Sequence, residues 1–172
     1  MTDTAGIGRL HDRLEAVVDA VGRATSWLSL AIVLVMATNV LLRYLFRTGS
    51  VWSQELEWHL LVPLVLVGMS YALRHGEHVR VDILYARFGA RGQAQVDLLS
   101  ALLTVAVALA ILWLSLKYVG QAFEIGEKSA DPGGLPYRWA LKALIPAGFG
   151  LLALQGVAAA LAAGARLRQA AR

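Results

Sequence analysis

Four stretches without an Asp, Glu, Lys or Arg constrain this chain more than any other feature. Ala24 to Leu42 and Leu98 to Leu116 each run about 19 residues, Ala143 to Ala165 about 23, and Trp58 to Leu73 about 16. At about 1.5 Å of rise per residue, 19 helical residues cover about 28 Å, close to the hydrocarbon thickness of a bilayer. The shortest stretch becomes adequate when Ser53 to Glu57 forms an interfacial first turn. Lipid offers no partners for backbone polar groups, so each stretch is expected as a helix, which satisfies its own. No segment alternates apolar and polar residues over the length a membrane β-strand needs. The expected fold is all-α and integral to the membrane, a single domain over 1–172 with spans at about 24–46, 54–74, 95–118 and 139–165. Short interfacial helices are expected at the N-terminus and between spans two and three. Composition agrees: 58% of residues are hydrophobic and 16% charged, against about a quarter charged in soluble domains. This excludes an ordinary soluble enzyme and a disordered tail, and the absence of cysteine excludes a disulfide scaffold.

The segment before span one carries Asp3, Asp12, Glu15 and Asp19 among its bases, with no small-residue cleavage site, so no removable signal peptide is expected. Thr2 in second place speaks against N-myristoylation. Leu10, Leu14, Val17, Val18 and Val21 recur at helical spacing, which fits an amphipathic helix on the membrane surface or a simple helical lead-in. Lys and Arg number about ten on the side of the termini and about six on the other, placing both termini in the cytoplasm. The basic balance then reflects arginines near anionic head groups of membrane lipids. No aromatic-and-basic motif for nucleic acid accompanies it.

In the outer link before span two, Ser50 or Ser53 is a candidate helix cap, and Glu55 and Glu57 suit the positive end of a helix dipole. Both could pair with Arg43 or Arg47, or serve only the dipole and head groups. Trp52 and Trp58 fit the aromatic belt, and Pro63 is expected to kink the helix. In the second outer link, Asp131-Pro132-Gly133-Gly134 signals a turn. Pro136 suits the first turn of span four, and Pro146 is expected to bend it.

A carrier needs polar or ionisable groups at mid-membrane, and no Asp, Glu, Lys, Arg or His falls in the middle of any span. Gln155 lies nearest a span's centre, placed to hydrogen-bond to a neighbouring helix. Haem held by two histidines needs imidazoles at matching depth on two helices, but only His59 lies in a span. Gly156, Ala160 and Gly164 recur every four residues and form a small-residue face suited to close helix packing. No Ser-His-Asp set, metal cluster or phosphate-binding glycine loop is evident, so no catalytic, cofactor or metal residue is expected.

Several motifs carry a family resemblance. Arg43-Tyr44 closes span one and Trp52-Ser53-Gln54-Glu55 opens span two, with Gly68 inside it. Gly76-Glu77-His78-Val79-Arg80-Val81-Asp82 follows, then Leu135-Pro136-Tyr137-Arg138-Trp139 through Lys142, Pro146 and Gly148. In this order and spacing they resemble the small membrane subunit, of DctQ type, of tripartite ATP-independent periplasmic (TRAP) transporters. The resemblance adds His78, Arg80 and Asp82 to the candidate interface or structural residues. It implies a bacterial inner-membrane subunit paired with a large multi-span permease subunit. A periplasmic solute-binding protein would deliver an organic acid, taken up on an ion gradient. The small subunit would be a non-catalytic scaffold whose outer links help receive the binding protein. A membrane anchor of a respiratory enzyme complex is the alternative reading of the same spans, and a self-assembling channel would need a polar stripe that no span shows.

Overall fold

The computed structural model describes residues 3–77 and 85–170. The first helix, α1, runs over Asp3–Phe46, 44 residues or about 66 Å. That is about twice what a bilayer core requires, so the charged segment ahead of Ala24 extends beyond the uncharged run. The amphipathic N-terminal stretch is therefore helical, but continues into span one without a break. Its continuity has a local cause: no Pro and no glycine pair interrupts 9–46, and Asp19 and Arg23 pair at i, i+4 with 3.0 Å between them.

Helix α2 covers Val51–His75. It starts three residues before the expected boundary, with Ser50 extended in the capping position but making no side-chain bond there. The Ser53 hydroxyl instead donates to the Ser50 carbonyl at 2.9 Å. Glu55 and Glu57 thus lie beyond the first turn, where the helix dipole has little hold on them. The helix continues through Pro63 and ends at Gly76, whose φ of 74° lets the Glu77 amide reach the Ala72 carbonyl at 3.1 Å. The link holding His78, Arg80 and Asp82, where the second interfacial helix is expected, lies outside the described residues.

Helix α3 spans Ala90–Glu124 and α4 spans Arg138–Gln169. The α3 helix ends at Gly126 (φ 59°), with the Glu127 amide on the Ala122 carbonyl at 3.0 Å and the Gly126 amide on Phe123 at 3.1 Å. This pair of bonds satisfies carbonyls that the last turn would leave open. All four helices are long and apolar enough to cross a membrane. Helix α4 is the hub. It packs most extensively on α3 and also touches α2 and α1, while α1 packs chiefly on α2.

The α3–α4 contact is close because both faces are small. On α3 the buried residues are Ala94, Ala101, Ala108, Ser115 and Ala122, one every seven, the period of a left-handed helix seam. On α4 they include Gly148, Ala153, Gly156, Ala158 and Ala163. A Cβ on Gly156 would stand 2.8 Å from Val105 Cγ2, and one on Gly148 would stand 2.7 Å from Leu66 Cβ on α2. Without a hydrophobic drive between helices in lipid, such close van der Waals contact is the principal cohesive force.

Candidate functional site

The end of the bundle away from the chain termini holds the best-organised polar cluster, and Glu55 is its centre. Helix α2 carries Glu55 one turn in from its start, and the side chain is 1% exposed. One carboxylate oxygen accepts the Ser129 hydroxyl, and the other accepts the Leu135 amide at 2.5 Å. A single side chain thus holds both flanks of the link between α3 and α4. Within that link the Ser129 amide donates to the Leu135 carbonyl at 3.2 Å. The tip is a tight turn: the Gly134 amide donates to the Asp131 carbonyl at 3.0 Å, with Pro132 second and Gly133 third at φ 82°. Proline followed by a left-handed glycine is the pattern of a type II turn, as the sequence signalled. Gly134 is held to glycine by contact, since a Cβ there would meet the Ser129 side chain and stand 2.8 Å from Glu55 Oε2.

The same link is fastened to α4. Glu127 accepts from Lys142 Nζ at 2.5 Å, and Lys142 also lies 3.8 Å from the centre of the Tyr118 ring. The Arg138 amide donates to the Glu127 carbonyl at 3.1 Å. Tyr137, at φ 63°, makes the left-handed step into α4, so Pro136 sits ahead of the helix and not in its first turn. The Arg138 guanidinium lies 6.0 Å from the Trp58 ring, and Phe123 meets Trp139 edge to face at 5.2 Å. Trp52 and Trp58 are both about half exposed at this end, as interfacial tryptophans are.

Glu57 points elsewhere. It accepts the Asn39 amide of α1 at 2.6 Å. Neither glutamate forms the suggested pair with Arg43 or Arg47; Arg43 is exposed and has no ion-pair partner among the described residues. The helix geometry explains the difference: two residues apart, Glu55 and Glu57 project about 200° from each other, one toward the α3–α4 link and one toward α1.

Deeper in the bundle, Gln155 is 2% exposed, and its Oε1 has no hydrogen-bond partner among the described residues; Ser70 Oγ is likewise buried and unpaired. Among the described residues, the expected bond from Gln155 to a neighbouring helix is not made by this oxygen. His59 donates from Nδ1 to the Glu55 carbonyl at 2.7 Å. Of the small-residue stripe, Gly156 is closely packed, Ala160 is half-buried, and Gly164 has open space where a Cβ would lie.

At the terminal end, Arg74 of α2 donates to the Glu15 carbonyl at 2.7 Å and reaches Asp19 at 2.8 Å. The Tyr71 ring covers Gly22. Asp97 on α3 accepts the Tyr85 hydroxyl at 3.0 Å and meets Arg166 of α4 at 3.1 Å. Asp19, together with the Glu15 carbonyl, therefore binds α1 to the end of α2. The i, i+4 spacing of Glu15 and Asp19 was the available signal, but it did not name Arg74.

These contacts orient loops and join helices. Among the described residues no group of three or more His, Asp or Glu side chains could hold a metal ion. Residues 32–166 match the family described as the DctQ component of tripartite ATP-independent periplasmic transporters. The ectoine TRAP transporter small permease protein TeaB of Halomonas elongata is 27% identical over 124 residues, which cover 70% of this chain and 59% of that protein. The matched region is thus less than two thirds of the length of this relative.

Proposed function

The chain belongs to the DctQ component family of TRAP transporters, and on that premise we propose that it serves as the small permease subunit, a scaffold for a large permease subunit. Membership of this family makes it a non-catalytic, multi-pass component of the inner membrane rather than an enzyme or a haem-bearing anchor. The observation that carries the scaffold reading is the placing of charge. Every ionic side chain lies outside the middle of the four uncharged spans, so the middle of the bundle offers a hydrophilic solute no charged ligand, only the neutral Gln155 and Ser70 side chains. Passage then has to be supplied by a second polypeptide.

With about ten basic residues on the terminal side against about six on the other, both termini face the cytoplasm, and the Glu55 end faces the periplasm. There, the α3–α4 link held by Glu55 gives a periplasmic solute-binding protein a surface of defined shape. The cargo is an organic acid, a class that includes ectoine, for which the TeaB transporter is named, and entry is driven by an ion gradient. Affinity purification of the tagged chain from its own membranes tests the reading. A large multi-span permease should be recovered with it in near-equal amount; recovery with respiratory subunits, or of the chain alone, would overturn it.

A further inference from the structure

The four helices do not present equivalent faces to the membrane. Outward on α3 lie Leu99, Leu103, Val107 and Leu114, each more than half exposed and all apolar. Lipid tails satisfy such a face fully. Between α1 and α2 the surface is different. A groove of about 410 Å³ opens there, with apolar walls from Met36, Val40 and Trp58, and with Asn39, Arg43 and Glu57 lining it as well. Asn39 lies in the uncharged run of α1, one turn or about 6 Å inside Arg43. Its 2.6 Å bond draws the Glu57 carboxylate to the same depth. Asn39 engages only one of the two carboxylate oxygens, and no other donor reaches Glu57 among the described residues. Arg43, at the groove's upper edge, has no partner there either.

An acceptor and a cation left open at the edge of the hydrocarbon are costly unless a polar partner covers them. A lipid phosphate answers Arg43 and repels Glu57; a zwitterionic headgroup adds an ammonium for Glu57, but its flexible tether holds the two charges at no fixed spacing. A protein helix can present a donor to one and an acceptor to the other at fixed spacing, with apolar side chains between them against Met36 and Val40. We infer that this α1–α2 groove is the seat of the large permease subunit, occupied by a membrane helix that carries a donor for Glu57 and an acceptor for Arg43. The inference rests on the scaffold reading and adds the face through which it operates.

Site-specific photo-crosslinking in native membranes tests it. The photoreactive residue benzoylphenylalanine replaces Met36 or Val40 on α1, or Leu103 or Leu114 on α3, each in a tagged chain. Adducts with the permease should form from the two α1 positions, at about tenfold the yield of the α3 positions. Arg43→Ala should lower the co-purified permease by about tenfold, the equivalent of one charge-assisted bond, while leaving the chain's own melting unchanged because Arg43 has no partner among the described residues. Co-purification with adducts from α3 alone would overturn the assignment of the groove and leave the scaffold reading intact. Adducts joining two copies of this chain, or lipid adducts only from all four positions, would also overturn it. Absence of the permease altogether would remove both.

Discussion

Gly156 and Gly164 occupy the same sequence stripe on α4, yet substitution should destabilise at the first and not at the second. At Gly156 a Cβ comes 2.8 Å from Val105 Cγ2, with Thr104 Cγ2 and the Ala101 carbonyl at 3.5 Å. The first distance is about 1 Å inside ordinary carbon contact. Val105 is β-branched and has few rotamers to yield into, so α3 itself has to move. Leucine at 156 adds three further carbons to a seam that is the largest helix contact in the fold. Overpacking of this kind costs about 1–3 kcal/mol, and the upper half of that range applies here. At about 2–4 °C per kcal/mol for a chain of this size, Gly156→Leu should lower the melting temperature by about 4–12 °C. Gly164 has nothing within 4 Å of a Cβ. Gly164→Ala should be neutral or stabilise by up to about 1 kcal/mol through helix propensity, raising the midpoint by no more than about 4 °C. Tryptophan fluorescence of the detergent-solubilised protein, which has five tryptophans, reads both. Equal shifts in the same direction, or an unchanged midpoint for Gly156→Leu, would refute the packing described.

Three further outcomes are expected. Glu55→Gln leaves one acceptor oxygen for two donors, so amide exchange at Leu135 should accelerate by roughly tenfold or more while the helices keep their protection; unchanged exchange at Leu135 would show that the link is held by other contacts. Gly76→Ala forces a side chain into a backbone at φ 74°, costing about 1–2 kcal/mol, and should lower the melting midpoint by about 2–8 °C. Arg74→Ala removes the bonds to Asp19 and the Glu15 carbonyl, so limited proteolysis should cut between residues 9 and 19 faster than in the parent; equal rates would mean that this segment is held without Arg74.

The helices were legible because lipid leaves the backbone so few choices. Charge-free length located all four, and Asp131-Pro132-Gly133-Gly134 located a turn whose hydrogen bond is in place. The limits of the elements were less legible. Helix α2 begins at Val51 although its uncharged stretch starts at Trp58, since polar residues at an interface remain helical without being buried. The α3 seam was readable in principle: Ala94, Ala101, Ala108, Ser115 and Ala122 keep a period of seven. The four-residue spacing of Gly156, Ala160 and Gly164 on α4 drew attention instead. Which small residues meet a neighbour depends on where the other helices cross, and spacing along one helix does not carry that information. Glu55 has the same history. Its charge suggested an arginine partner, whereas a hydroxyl and a backbone amide more than 70 residues away bind it. A backbone donor has no signature in sequence, because every residue except proline offers one.

The claim beneath all of this is that these four helices hold no route for a hydrophilic solute. Flux into liposomes containing only the purified chain tests that claim most directly, with radiolabelled succinate and ectoine outside and an inward sodium gradient imposed. Both solutes should enter no faster than into protein-free liposomes. Accumulation of either one by the chain on its own would contradict it.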